Sequence, residues 1–448
     1  MMHPADAGPP SLAFGLPFAG LLLSIALVPV LRPHWWERRF PWVTAAWALA
    51  FALPFAAVHG PGEAGRALLA TVAHEYLPFV VLLVALFVVA GGIRISGNLI
   101  GTPNTNLALI GLGTLGASLL GTTGAAMLLI RPLIRANGDR KHRTHVFVFF
   151  IFLVGNIGGS LTPLGDPPLF LGFLRGVDFG WTLGAMAAPM LLSSGLLLGL
   201  FTAIDRWYWR REPVLPPSHL PRSIKVEGLH NVFFLALIVG AVLMSGLWHS
   251  GRSLPVGLGV SLNHEDAARD LALVATAVLS YATTPSRIRI ENAFTWMPIR
   301  EVAILFAGIF ITIVPVLAAL KAGPAGPFAP LLHLVARPDG TPIVASYFWL
   351  TGALSSVLDN APTYLVFFDT AGGDPVRLMA EGSATLLAIS CGAVFMGANT
   401  YLGNAPNFMV RSICEEQGIR MPSFFGYLAW SGLVLLPLFG LLTLVFFL

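Results

Sequence analysis

Long apolar runs separated by short polar segments dominate the chain. Each run comes close to or exceeds the roughly 20 residues that an α-helix needs to cross about 30 Å of hydrocarbon. The pattern therefore predicts an all-α polytopic membrane protein. Ten spans are expected, near residues 11–31, 41–59, 76–94, 146–175, 181–204, 229–249, 267–284, 301–320, 384–414 and 424–447.

Two further apolar segments, 105–134 and 343–370, are too long for one ordinary crossing. Their centres, Gly121–Gly124 and Asp359–Pro362, are polar and carry glycine or proline. Non-helical backbone at membrane depth is tolerated only where it is enclosed by protein or lines a cavity. These segments are therefore predicted to be re-entrant helical hairpins whose tips stop inside the membrane.

Composition supports a bilayer environment, because 56% of the residues are hydrophobic and only 11% are charged. The formal charge of +4 does not indicate a nucleic-acid partner, since the basic residues lie in short loops, where they set topology. Their distribution predicts that the loops 32–40, 135–144 and 206–228 are cytoplasmic and that both termini face outward. The expected location is the bacterial inner membrane, with the lipid bilayer as the main partner.

An internal similarity divides the chain into two halves. Leu164–Phe170 aligns with Leu402–Phe408, and the same offset of 238 residues places Ser118–Thr122 on Ser356–Asn360. The predicted topology gives the halves opposite orientations, as in transporters with inverted repeats. We therefore predict a first repeat at 1–205, a cytoplasmic linker at 206–228 and a second repeat at 229–448. Each repeat would hold about five spans and one hairpin.

The segments 146–175 and 384–414 each begin as a helix, break at a stretch rich in glycine, proline and asparagine, and resume as a helix. The start of a half-helix offers N–H donors to an anion, while free carbonyl and side-chain oxygens can hold a cation near the midplane. Close helix packing is the alternative explanation for these small residues. The candidate ion- or substrate-binding residues are Thr122, Thr123, Asn156, Ser160, Thr162, Asp166, Asp359, Asn360, Thr363, Asn399, Thr400 and Asn404.

Two acids, Asp166 and Asp359, are predicted to lie deepest in the membrane. A charge there costs roughly 3 kcal/mol or more unless a partner compensates for it, so such residues are functional candidates. Together with Asn360 they form the predicted Na⁺ site. The alternative is a structural carboxyl that caps a half-helix. Two other acids, Asp205 and Asp369, are assigned to the membrane interfaces.

These motifs resemble those of the ion transporter superfamily, which includes sodium/proton antiporters, arsenite-efflux pumps, citrate transporters and divalent-anion symporters. Asn156–Pro168 resembles its broken helix, and Ser355–Thr363 resembles its hairpin tip. The first tip, Gly121–Gly124, departs from the Asn-Thr pair of many relatives, which leaves one sodium site rather than a symmetric pair. The resemblance implies an elevator-like motion of a transport domain against a scaffold, in a homodimer.

The functional prediction is a secondary transporter with alternating access and not an enzyme. Sodium/proton antiport is favoured because two deep acids repel an anion. The alternative is cation-coupled transport of citrate, another carboxylate or another oxyanion. No cofactor is expected besides Na⁺ and H⁺ as coupling or transported ions. An intramembrane aspartic protease is a remote alternative, since Pro163 replaces the first glycine of its Gly-x-Gly-Asp motif.

Overall fold

The computed structural model describes residues 12–212, 224–322 and 326–448. Every predicted span lies on helix within these ranges, which confirms an all-α polytopic membrane protein; Ser11 lies outside the described residues. The helices of the first half are α1 (Leu16–Leu31), α2 (Pro33–His59), α3 (Pro61–Thr71), α4 (Leu77–Ala90), α5 (Pro103–Leu120), α6 (Thr122–Ala136), α7 (Thr144–Leu153), α8 (Pro167–Leu174) and α9 (Phe179–Trp209).

The second half continues the same alternation of long and short helices. They are α10 (His230–Leu247), α11 (His264–Thr283), α12 (Ser286–Glu291), α13 (Met297–Lys321), α14 (Ala329–Val335), α15 (Val344–Val357), α16 (Asn360–Thr370), α17 (Pro375–Met379), α18 (Ser383–Met396), α19 (Ala405–Glu416) and α20 (Phe424–Leu442).

Six helical stretches of the described chain are long and apolar enough to cross a bilayer on their own. Among the other predicted spans, α1 is shorter, α11 is long enough but carries four charged residues in its first two turns, and the rest are interrupted. The six stretches are His34–His59, Pro61–Ala90, Phe179–Trp209, His230–Leu247, Met297–Leu320 and Phe424–Phe447.

Two helical hairpins form where the sequence predicts them. Helices α5 and α6 meet at Gly121, whose φ of +74° is a conformation that favours glycine. Helices α15 and α16 meet at Leu358 and Asp359. In both hairpins the second arm packs against the first and starts a fresh helix at the tip.

Two helices are interrupted as predicted. A short 3₁₀ turn, Ile157–Ser160, follows α7, and the chain resumes as α8; the turn Gly397–Asn399 stands in the same way between α18 and α19. A side chain at Gly165 would collide with the Gly159 carbonyl, and one at Gly403 with the Gly397 carbonyl. Each break folds back on itself so closely that only glycine fits.

The centre of the protein is α7. Its residues from Val146 to Leu153 are all fully buried, so this helix is apolar on every side and contacts protein throughout its circumference. Helices α5, α9 and α19 pack around it. The first break therefore begins at the end of a completely enclosed helix.

One loop prediction is wrong, and two loop regions hold short strands. The segment 32–40 is not a loop, because α2 begins at Pro33, a residue well suited to the first helical turn. Part of the linker is ordered: Ile224–Glu227 (β2) pairs antiparallel with Arg94–Gly97 (β1), while residues 213–223 lie outside the described residues. A second small hairpin joins Ser253–Gly257 (β3) to Val260–Asn263 (β4). Neither pairing carries a clear period-two pattern in the sequence.

Charged side chains hold the first of these pairings together. Arg94 donates to Glu227 at 2.6 Å, and this hydrogen bond lowers the pKa of the Glu227 carboxyl. Arg94 also forms an ion pair with Glu291 at 2.7 Å. The linker is thereby attached to the loop that follows α4.

Candidate functional site

Asp166 is the centre of the candidate site. It is 2% exposed and precedes α8, but its carboxylate bonds to no N–H of that helix. Instead it accepts hydrogen bonds from Thr122 Oγ1 at 3.0 Å, Asn404 Nδ2 at 3.1 Å and Asn360 Nδ2 at 2.5 Å. Both hairpin tips and both helix breaks therefore meet at one carboxylate.

An amide chain joins the two breaks behind this carboxylate. Asn404 also donates to the Gly155 carbonyl at 3.0 Å and to Asn156 Oδ1 at 3.3 Å. Asn156 in turn donates to Asn407 Oδ1 at 2.7 Å, and Asn407 donates to the Gly397 and Thr400 carbonyls, each at 2.9 Å. Asn407 was not predicted, because its counterpart under the 238-residue offset is the apolar Leu169.

Each hairpin is fastened to the break of its own half by the same bonds. Thr162 Oγ1 donates to the Ser118 carbonyl, and Thr400 Oγ1 donates to the Ser356 carbonyl at 2.6 Å. Ser118 Oγ donates to the Gly158 carbonyl at 2.5 Å, and Ser356 Oγ donates to the Met396 carbonyl at 3.0 Å. The two bonds of the first half therefore correspond to the two bonds of the second half, residue by residue, with the same 238-residue offset. Thr162 and Thr400 thus hold backbone in place rather than pointing at Asp166.

Asp359 differs from Asp166 in its role. It is half-buried, and its Oδ1 caps α16 by accepting from the Ala361 N–H at 3.1 Å. One of its two oxygens therefore has the helix-capping role that was the structural alternative. It lies close enough to Asp166 for the two charges to interact. Thr363 donates to the Asp359 carbonyl at 3.0 Å, so its hydroxyl bonds to the backbone at the start of its own helix.

Two buried amide oxygens, one at the second hairpin tip and one in the second break, have no hydrogen-bond partner among the described residues. One is Asn360 Oδ1, whose Nδ2 bonds Asp166, and the other is Asn399 Oδ1, whose Nδ2 donates to Ser356 Oγ at 2.9 Å. Buried polar atoms are normally paired. The Asn360 oxygen, whose amide nitrogen bonds Asp166, is therefore a free acceptor for a cation at this tip.

Two predicted residues stand apart from the centre. Ser160 donates to the Ile157 carbonyl at 2.8 Å within the 3₁₀ turn, which makes it part of the break rather than a ligand. Thr123 is half-buried on the outer side of α6, next to Thr122. Among the twelve predicted residues, direct bonds to Asp166 come only from Thr122, Asn360 and Asn404.

Comparison with known families matches residues 9–447 to the family described as "Putative citrate transport". The chain belongs to this family. The match covers nearly the whole length and confirms the resemblance to citrate transporters and their superfamily. No curated protein matches the chain. This member of the family is therefore a multi-pass membrane transporter.

The transporter buries a charged network beside the end of α6, which holds Arg135, and the loop after it, which holds Arg140 and Lys141. We call this side the basic face. Asp205 accepts from Arg140 at 2.5 Å, His145 Nε2 lies 2.8 Å away, and Asn106 donates at 3.0 Å. The Arg140 and Asp205 side chains are 1% and 0% exposed. The interfacial assignment of Asp205 missed this network, which fastens the base of the first hairpin to α9.

A second ion-pair cluster lies at the opposite face of the transporter. Arg175, which follows α8, pairs with Glu75 Oε1 at 2.8 Å and with Asp369 Oδ1 at 3.4 Å. Glu75 belongs to a π-helical turn before α4, and Asp369 ends the second hairpin. Asp369 is buried at 2%, so its interfacial assignment also missed its packing. Arg175 and Glu75 remain 18% and 19% exposed.

The four half-helices that leave the site differ in exposure. Helices α6 and α19 run toward the basic face and each keeps an uncovered side. Helices α8 and α16 run toward the opposite face and are buried from Pro168 to Gly172 and, apart from Val366, from Asn360 to Thr370. The uncovered residues are Thr123, Met127, Leu128, Arg131 and Arg135 on α6, and Ala405, Phe408, Met409, Arg411, Ser412, Glu415 and Glu416 on α19.

Proposed function

We propose that this protein is a cation-coupled transporter of small carboxylates such as citrate, and that Asp166 holds the coupling cation. The observation that carries the proposal is the convergence of both hairpin tips and both helix breaks on this one carboxylate. Membership of a family described by citrate transport supports the choice of cargo. Cation-coupled carboxylate transport, the alternative from the sequence, is thus preferred to sodium/proton antiport.

The charge balance at the site supports binding of a cation before an anion. Helices α6, α8, α16 and α19 all begin there, and each helix N-terminus carries about half a positive charge, or about +2 in total. The carboxylates Asp166 and Asp359 contribute about −2 when ionised, which leaves the empty site close to neutral. A bound cation makes the site positive, and a carboxylate substrate can then bind at the helix N-termini.

The oxygen atoms at the second hairpin suit a sodium ion. Hard cations prefer carboxylate and amide oxygens. Asp166, Asp359 and the unpartnered Oδ1 of Asn360 supply these atoms, and they are the three residues predicted from the sequence. The first hairpin tip, Gly121–Gly124, offers the Thr122 hydroxyl but no carboxylate or amide side chain, in keeping with one sodium site rather than two.

Sodium/proton antiport is the second candidate. It is favoured by the proximity of Asp166 and Asp359 and by the fact that no lysine or arginine among the described residues bonds Asp166. In that case Na⁺ and H⁺ would compete for the same oxygens. Family membership favours transport over the protease alternative.

The inverted repeats, the homodimer, the elevator-like motion and the bacterial inner-membrane location remain predictions. The repeats are supported by the hairpin-to-break bonds that recur with a 238-residue offset. Equivalent glycines, Gly165 and Gly403, also make the same close backbone approach in each break. A domain division at 205 and 229 is compatible with these pairs.

Purified protein in proteoliposomes tests the proposed function. An imposed sodium gradient should drive uptake of labelled citrate, and Asp166→Asn should reduce that uptake at least about a hundredfold, since its amide cannot hold a cation by charge. The control is Glu381→Gln, which removes a carboxylate from an exposed position and should transport like the wild type. Full sodium-driven citrate uptake by Asp166→Asn would contradict the proposal. Sodium-driven proton movement without citrate uptake would select antiport instead.

A further inference from the structure

The uncovered side of α6 forms a line from the site to the basic face. Thr123, Met127, Arg131 and Arg135 follow one another at four-residue intervals, so they share one side of the helix. Arg131 lies nine residues beyond Thr122, or about 13 Å along the helix axis. An arginine exposed to hydrocarbon would be costly, which favours water over lipid beside Arg131 and Arg135. Met127, nearer the site, borders a small cavity with Phe87 and Phe294.

The neighbouring helix α19 offers a matching line. Ala405, Phe408 and Ser412 are uncovered on it, and α19 packs against α6. Glu416, at its end, lies close enough to Arg131 for their charges to interact. An open route between the two lines would lead from the start of α19, beside Asp166, to the basic face, and we call this route the passage.

Arg131 has an unsatisfied guanidinium in this passage. Its Nη1 is buried and has no hydrogen-bond partner among the described residues, and no ion pair to Arg131 is found among them. The arginines around it are paired: Arg135 donates to the Ile95 carbonyl at 2.8 Å, and Arg411 donates to Glu415 at 2.9 Å. A buried donor left without an acceptor destabilises the protein, whereas an acceptor from a ligand would satisfy it.

We infer that Arg131 is a second carboxylate-binding position, which a substrate occupies on its way between the central site and the basic face. The inference rests on the proposed function. A guanidinium presents a planar pair of N–H donors that match the two oxygens of a carboxylate. The negative charge of nearby Glu416 repels a bound carboxylate and so weakens its binding to Arg131. Weak binding suits a position along the passage, because a substrate must be able to leave it.

Side-specific transport tests the inference. Labelled citrate uptake is measured with membrane vesicles that present the basic face outward and with vesicles that present it inward. For Arg131→Gln, the half-saturating citrate concentration should rise at least about tenfold when citrate enters from the basic face. It should stay unchanged for entry from the other face. Arg131→Lys, which keeps the charge but loses the paired donors, should give an intermediate rise.

The matched control is Arg411→Gln, which removes a positive charge from the same passage but from an arginine that Glu415 already pairs. It should leave the half-saturating concentration near the wild-type value. An unchanged sodium dependence in Arg131→Gln shows that the variant is folded and that its central site is intact.

The possible outcomes separate the two proposals. Wild-type citrate uptake with equal half-saturation in Arg131→Gln and Arg411→Gln would overturn the Arg131 position and leave the proposed function standing. An equal rise of the half-saturating concentration in both variants would indicate that any positive charge in the passage attracts citrate. It would also overturn a specific role of Arg131. A wild-type protein that carries no carboxylate would overturn both proposals.

Discussion

The two faces of the transporter treat their charged residues in opposite ways. At the basic face Arg140 and Asp205 are almost completely buried, yet α6 and α19 each keep an uncovered side. At the other face α8 and α16 are covered, yet the ion pair of Arg175 with Glu75 is partly exposed. The half-exposed pair is therefore the one expected to break if its face opens. Alternating access, which the sequence predicts, requires one face to be closed while the other is open.

The largest expected effect comes from the buried network. Asp205→Asn leaves the positive charge of Arg140 buried with an amide in place of its carboxylate, and loss of one partner from a buried ion pair costs about 3–5 kcal/mol. Thermal unfolding in detergent should therefore show a strongly lowered melting temperature. The control Asp339→Asn, at an exposed turn, should unfold like the wild type. Equal melting temperatures of the two variants would show that the Arg140–Asp205 pair does not stabilise the basic face.

The difference in exposure between α19 and α16 can be measured with single cysteine substitutions. Ser412→Cys lies on the uncovered side of α19, and Thr370→Cys lies at the buried end of α16. A thiol reacts only where reagent reaches it, so a water-soluble maleimide should label Ser412→Cys more than about tenfold faster. The native Cys391 and Cys414 are buried and should contribute little background. Equal labelling of the two sites would contradict the comparison.

The smallest effect is expected at the half-exposed ion pair. Glu75→Gln leaves Arg175 with Asp369 at 3.4 Å and removes a contact of about 1 kcal/mol, enough to raise opening of this face about fivefold. The readout is faster labelling of Thr370→Cys in the Glu75→Gln background. Glu415→Gln, which breaks an ion pair at the other face, should not change that rate. No acceleration with Glu75→Gln would show that the pair does not hold the closed face.

Sequence patterns predicted the helices, the hairpins and Asp166 because each leaves a local mark. Apolar runs of membrane length identify the spans, and glycine or proline next to polar residues identifies the tips and breaks. Asn360, Asn404 and Thr122 were predicted for the same reason. Their common contact with Asp166 is a finding of the structure, because it joins residues up to 238 positions apart.

The missed features depend on contacts that no local pattern records. Arg175 meets Glu75 across 100 residues and Asp369 across 194, so nothing near either acid in the sequence announces the partner. Asp205 was assigned to an interface because it ends an apolar run, and its burial follows from Arg140 and His145 packing over it. The internal comparison passed over Asn407 because only one half carries an amide at that position.

The unequal halves of the site have an electrical consequence. Asn404 occupies in the second half the position that Asp166 holds in the first, so the two breaks share one fixed negative charge rather than two. In a transporter that carries this site across the bilayer, the cation-bound and cation-free forms would differ by one elementary charge. Moving one elementary charge through the whole membrane potential is worth about 2.3 kcal/mol per 100 mV. Membrane voltage would therefore distinguish the loaded crossing from the empty one by this amount.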